Sequence, residues 1–170
     1  MRWELYSPSR RNSAPTSPGT RQALASPTMR RLYAAENCRR LRAGYEDLIG
    51  LRDSLSPGTH LIFHAYDFAI PDGRDVCNLG PWLKPTLDLR KFPIGSAARF
   101  EVVKAMLKQF AALLLSLASH GGVTFINGQG TLAPNPSSWH NELHPSKDGF
   151  RKFATLFHTK LKALFPARVL

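Results

Sequence analysis

His144 stands in the run Trp139-His140-Asn141-Glu142-Leu143-His144-Pro145-Ser146, where a polar loop meets an amphipathic segment. Imidazole is the side chain whose ordinary proton affinity best suits acid–base work near neutrality. Pro145 fixes its own φ and biases His144 towards extended backbone, so a helix begins after this pair and not through it. Ser146 is a good N-cap for that helix. The pattern holds His144 at the mouth of a helix, on a loop that rigid elements position. Three residues earlier, Asn141 offers a carbonyl that can accept from the imidazole and fix its tautomer. An amide has no charge with which to stabilise imidazolium.

Other chemistry-bearing residues give weaker patterns. His140 and His144 flank Glu142 at a spacing that binds zinc when it lies on a helix. Pro134, Pro136 and Pro145 make this segment a loop, and His64 is the one further histidine considered as a ligand. Metal binding is therefore not expected. Asp67 follows a predicted strand and reads equally as a site residue or as a loop cap. Trp82 and Phe92 suit either the wall of a substrate groove or the packing of a loop onto the core, and packing is the expected role.

The His block, taken with Leu61-Ile62-Phe63-His64-Ala65-Tyr66-Asp67 and Ile70-Pro71-Asp72-Gly73-Arg74, resembles the SGNH (GDSL-type) hydrolases over roughly residues 37–165. In that family an Asp-x-x-His loop precedes the final helix; here Asn141-x-x-His144 takes its place. The resemblance implies an α/β fold, a three-layer α/β/α flavodoxin-like parallel sheet. It also implies hydrolysis of small acyl esters, with His144 as the base, Asn141 in the orienting position, and neither cofactor nor metal.

The family's Gly-Asp-Ser block, its second-block Gly and its third-block Asn have no counterpart in a fitting context. Arg52-Asp53-Ser54-Leu55 is similar in letters only. Ser54 ends a predicted helix before a strand, whereas the family's Ser follows a strand, and Arg52 stands where a tight turn needs Gly. The expectation is thus the C-terminal half of such an enzyme, truncated at its N-terminal half and inactive alone. The alternative is a non-catalytic binding or interaction protein with a basic tail.

The chain has 170 residues, 43% of them hydrophobic and 10% aromatic, enough for one domain with a real core. Its formal charge of +11 is uneven: residues 1–42 carry nine Arg and two Glu, net +7, and the remainder nets +4. No apolar run reaches the ~20 residues of a membrane span, and no signal-peptide pattern opens the chain. Cys38 and Cys77 are too few for a disulfide framework, so a cytoplasmic, reduced setting is expected.

Residues 1–35, rich in Arg, Ser, Pro and Thr, read as a disordered segment. A solvated tail, a nucleic-acid-binding arm, an organellar transit peptide and a start foreign to the fold all remain open for it. The segment lacks interleaved aromatics, so nucleic acid is not the expected partner. The domain proper is expected over 36–170.

Helical spacing of Leu41, Tyr45, Leu48, Ile49 and Leu55 predicts a helix from Glu36 to about Ser54, ended by Pro57-Gly58. A buried strand is predicted over 59–65, a long irregular segment over 66–95, and a helix from Ser96 to about His120 with Phe100, Val103, Leu107, Phe110, Leu114 and Leu117 on one face. Val123–Ile126 reads as a second buried strand, and a last helix runs from about Ser146 to Phe165. That alternation implies parallel strands with sites beyond their carboxyl ends. With so few strands, apolar stripes are expected to stay exposed, and sheet edges to invite a protein partner or self-association.

Overall fold

The computed structural model describes residues 27–76, 79–91 and 95–169, so the expectations for residues 1–26, Cys77 and Phe92 lie outside the described residues. Contacts divide the chain into two units, Met1–Arg40 and Leu41–Leu170. The described part of the first is the start of helix α1, which runs Pro27–Leu55. It begins at Pro27 and not at Glu36. Proline suits the first helical turn, where its missing N–H has no partner to lose. Glu36 pairs there with Arg39 and Arg40, one turn on, at 3.0 Å each.

In the second unit α1 ends as predicted: Ser56 N–H bonds to Arg52 O at 2.8 Å and Pro57-Gly58 forms a turn. Two strands follow in the order of the chain, β1 (Leu61–His64) and β2 (Val123–Ile126). They pair in parallel, with Leu61 opposite Val123 and His64 opposite Ile126. A parallel pair needs a long crossover. Helix α3 (Ser96–Leu117) supplies it. The expected irregular segment 66–95 also holds a short helix, α2 (Leu83–Leu89). Gly122, at φ +67°, closes the turn into β2. The last helix, α4, spans Lys147–Leu164.

Aromatic contacts reach β1 on both of its faces. Tyr45 of α1 meets Phe63 edge-on at 4.9 Å, while Phe157 of α4 meets His64 at 5.3 Å. Successive strand residues point to opposite faces, which is why neighbours 63 and 64 meet different helices. Phe63, Leu114, Leu117, Val123 and Ile126 are buried. Within the predicted stripe of α3, Val103, Leu114 and Leu117 are buried as well. A second cluster of Ala69, Leu87, Val103, Leu132 and Trp139 sits beneath the loops that leave the strands.

One buried cation organises the opposite end. Arg52 donates to Thr59 O at 2.8 Å, Gly121 O at 2.7 Å and Gly122 O at 2.9 Å, and pairs with Asp53 at 2.6 Å. It thereby ties the end of α1 to the starts of both strands. Glycine suits the positive φ at Gly122, and a Cβ there would also lie 2.8 Å from the Arg52 guanidinium and force it to shift. The Arg52–Leu55 run is indeed a helix end. Among the described residues no helix is long and apolar enough to cross a membrane.

Candidate functional site

The loops that follow β1 and β2 meet beyond the strands' carboxyl ends. Asp67, 2% exposed, joins them. Its Oδ1 accepts from the main-chain N–H groups of Phe68 and Gly130 at 2.7 Å each, and its Oδ2 from Leu132 at 2.8 Å. In all three bonds the carboxylate is the acceptor, the role open to it when ionised. Of the two readings of Asp67, the loop cap is the one its contacts describe.

The His block folds back on itself. Trp139 and Pro145 form an antiparallel bridge, His140 N–H donates to His144 O at 2.7 Å, and Ser146 N–H donates to Ser138 O at 2.9 Å. Ser146 caps α4 as its sequence predicts, its Oγ accepting from Gly149 N–H at 3.2 Å. Gly149 is pressed against this loop: a Cβ there would lie 2.9 Å from Ser138 O. His144 is therefore delivered to the protein surface on a closed, capped loop.

Asn141, fully buried, holds the ring. Its Oδ1 lies 3.1 Å from His144 Nδ1 and also accepts from the N–H groups of Leu143 and His144 at 2.8 Å each. A carbonyl only accepts, so Nδ1 carries the hydrogen, and in the neutral ring the lone pair is then on Nε2. The imidazole is exposed and meets Trp82 edge-on at 6.2 Å. Asn141 Nδ2 is buried with no partner among the described residues. Among the described side chains, Asn141 is the one hydrogen-bonded to the His144 ring.

Glu142 does something that its position between two histidines does not announce. It is fully buried and its carboxylate gathers four main-chain N–H groups. Oε1 accepts from Gly73 and Lys84 at 2.9 Å, and Oε2 from Trp82 at 2.6 Å and Leu83 at 2.7 Å. The carboxylate thus pins the start of α2, Trp82 included, against the His block. Arg74 adds a second tie, donating to Trp139 O at 2.8 Å and Pro136 O at 3.1 Å while pairing with Asp72 at 2.7 Å.

With Glu142 turned to this task, the His140/Glu142/His144 pattern gathers no metal ligands. Among the described residues no three His, Cys, Asp or Glu side chains converge. His64 packs against Phe157 and does not join the His block. Sequence reasoning passed over Glu142 and Arg74 as anchors, because their partners are backbone groups with no residue signature. No family model, curated protein or solved structure matches this chain.

Proposed function

We propose that residues 36–170 form the C-terminal half of a three-layer, flavodoxin-like α/β/α domain of SGNH type. Its complete form hydrolyses esters of small acyl groups. The observation that carries this reading is the Asn141–His144 pair on a loop beyond the carboxyl ends of two parallel strands. Helix contacts on both faces of β1 support the layering.

In the complete enzyme, His144 Nε2 takes the proton of a serine hydroxyl as its oxygen bonds to the acyl carbon. The same imidazolium then returns the proton to the departing alcohol, and water repeats the sequence to release the acid. Asn141 holds the ring in register but leaves the imidazolium without a neighbouring charge, which weakens it as a base. This chain on its own lacks the nucleophile block and has no esterase activity.

The test is labelling of the purified chain with a serine-reactive phosphonate. No labelling is expected. Robust labelling that His144→Ala abolishes would reveal a nucleophile within this chain and sink the inactive-half reading.

A second reading, a non-catalytic interaction protein, is favoured by the open edge of β1. Leu61 and Ala65 donate to Gly122 O and Ile126 O, so the pleat turns the N–H groups of Ile62 and His64 away from β2. Such an edge suits strand addition by a protein partner or a second copy. A nucleic-acid affinity that survives physiological salt and is lost on removing residues 1–35 would favour instead the basic tail as the binding element.

A further inference from the structure

Between Leu41 and Leu55, helix α1 carries two stripes, and the fold uses one of them. Tyr45, Ile49 and Arg52, spaced four and three apart, turn inward. Tyr45 meets Phe63 and Phe110, Ile49 is buried, and Arg52 ties the strand starts. Arg42 reaches Ser116 Oγ at 2.6 Å, so α3 lies along one flank of this inward face. The other flank carries Leu41, Leu48, Leu51 and Leu55. At about 100° per residue they centre roughly a quarter-turn from Tyr45, on the side away from Arg42. They are 47%, 44%, 57% and 79% exposed.

The spacing of this stripe says what covers it. Leu41, Leu48 and Leu55 recur every seven residues, and Gly44 and Leu51 stand three after the first and second of them. That alternation of threes and fours is the seam along which two helices pack lengthwise, and a seam of this period is matched by another of the same period.

Gly44 makes the stripe complementary to itself. A Cβ there meets nothing within 4 Å, so the glycine leaves a gap in the seam. When two copies run antiparallel with Leu48 facing Leu51, Leu55 of each lies over Gly44 of the other. The most exposed leucine meets the one gap, and large fits small at both ends. Asp47 then sits beside Ser54 of the second copy, so no like charges meet. A parallel pair would set Gly44 against Gly44 and leave a void. Glu46, Asp47 and Asp53 are exposed around the stripe, which suits neither nucleic acid nor anionic lipid.

We infer that α1 is a homodimerisation element, two copies of this chain packing antiparallel through Leu48, Leu51 and Leu55 with each filling the other's gap at Gly44. The dimer uses neither the edge of β1 nor the His block, and rests on neither functional reading. One helical stripe stands at the small end of specific interfaces, so the pair is reversible, with a Kd in the micromolar range.

Sedimentation equilibrium of the full chain measures this association, and a monomer–dimer equilibrium is expected. The double variant Leu48→Glu, Leu51→Glu changes two exposed positions, and circular dichroism checks that its fold is kept. It is expected to raise Kd about tenfold or more, because each charge would be buried without a partner. Gly44→Leu separates this dimer from unspecific clustering. It adds apolar surface and removes a glycine from a helix, so unspecific association would strengthen. In the antiparallel pair the new side chain collides with Leu55, and Kd is expected to rise about tenfold.

A chain that stays monomeric, or that aggregates without a defined dimer, would overturn the proposal. So would a dimer that the two glutamates leave unmoved, or one that Gly44→Leu strengthens. The hydrolase reading, tested by phosphonate labelling, stands or falls separately from each of these results.

Discussion

Asn141 Oδ1 sits 3.1 Å from His144 Nδ1 while taking the main-chain N–H groups of Leu143 and His144 at 2.8 Å each. One buried carbonyl therefore sets both the tautomer of the imidazole and the shape of the loop that presents it. The two roles separate in mutants. Asn141→Ala leaves two loop N–H groups unpaired and is expected to destabilise the fold by about 2–4 kcal/mol. His144→Ala, at an exposed position, is expected to cost less than about 1 kcal/mol. Chemical denaturation of the two variants compares them directly; equal losses would mean that Asn141 does not shape the loop.

Glu142→Gln tests the carboxylate clamp. Whichever way the amide turns, its NH₂ faces two of the four N–H donors now held by Oε1 and Oε2. Two accepted hydrogen bonds become two donor–donor clashes, and the expected loss is about 3–5 kcal/mol, as for a broken buried charge interaction. Amide exchange should quicken first at Trp82, Leu83 and Lys84. Unchanged protection there would show that α2 is anchored by something else.

Tyr66 predicts an alkaline weakness. Burial pushes its phenol from the ordinary 10.0 up to about 12. The folded state therefore favours the neutral phenol, and its contribution is complete below pH 10. It is lost as pH rises towards 12, because the unfolded chain ionises first. Denaturation midpoints measured at pH 9 and pH 11 should fall further for the parent than for Tyr66→Phe. Parallel falls would show that this phenol contributes nothing to the pH dependence.

Association is expected from the apolar surface left uncovered. Leu51, Leu55, Met106, Leu115 and Phe150 are each more than half exposed, with Leu55 at 79%. The edge of β1 away from β2 adds main-chain groups that pair with no strand among the described residues. The purified chain should aggregate, or sediment as more than a monomer, unless a partner strand is supplied. A stable monomer with a cooperative transition at roughly 45–65 °C, the range of ordinary small domains, would contradict this.

What the sequence determined by itself was local. Ser146 as a cap, Pro145 as a helix boundary, Pro57-Gly58 as a stop and the periodicity of α3 all act through neighbours a turn or less away, and the structure carries each. The proximity of Asn141 to His144 belongs to the same class, since three residues separate them. Helix α1 begins earlier than its apolar spacing suggested, and α2 lay hidden in a segment rich in proline and glycine, because short or uncapped helices announce themselves weakly.

The tertiary structure alone decided the roles of the buried polar residues. Glu142 looked like a partner for two histidines and instead holds Gly73 and residues 82–84, some sixty positions away in the chain. Asp67 reaches Gly130 and Leu132, and Arg52 reaches Gly121 and Gly122, across similar distances. Their partners are main-chain N–H and C=O groups, which every residue carries alike. A carboxylate or guanidinium finds them only once folding has brought the loops together, and no residue type along the sequence marks where they will be.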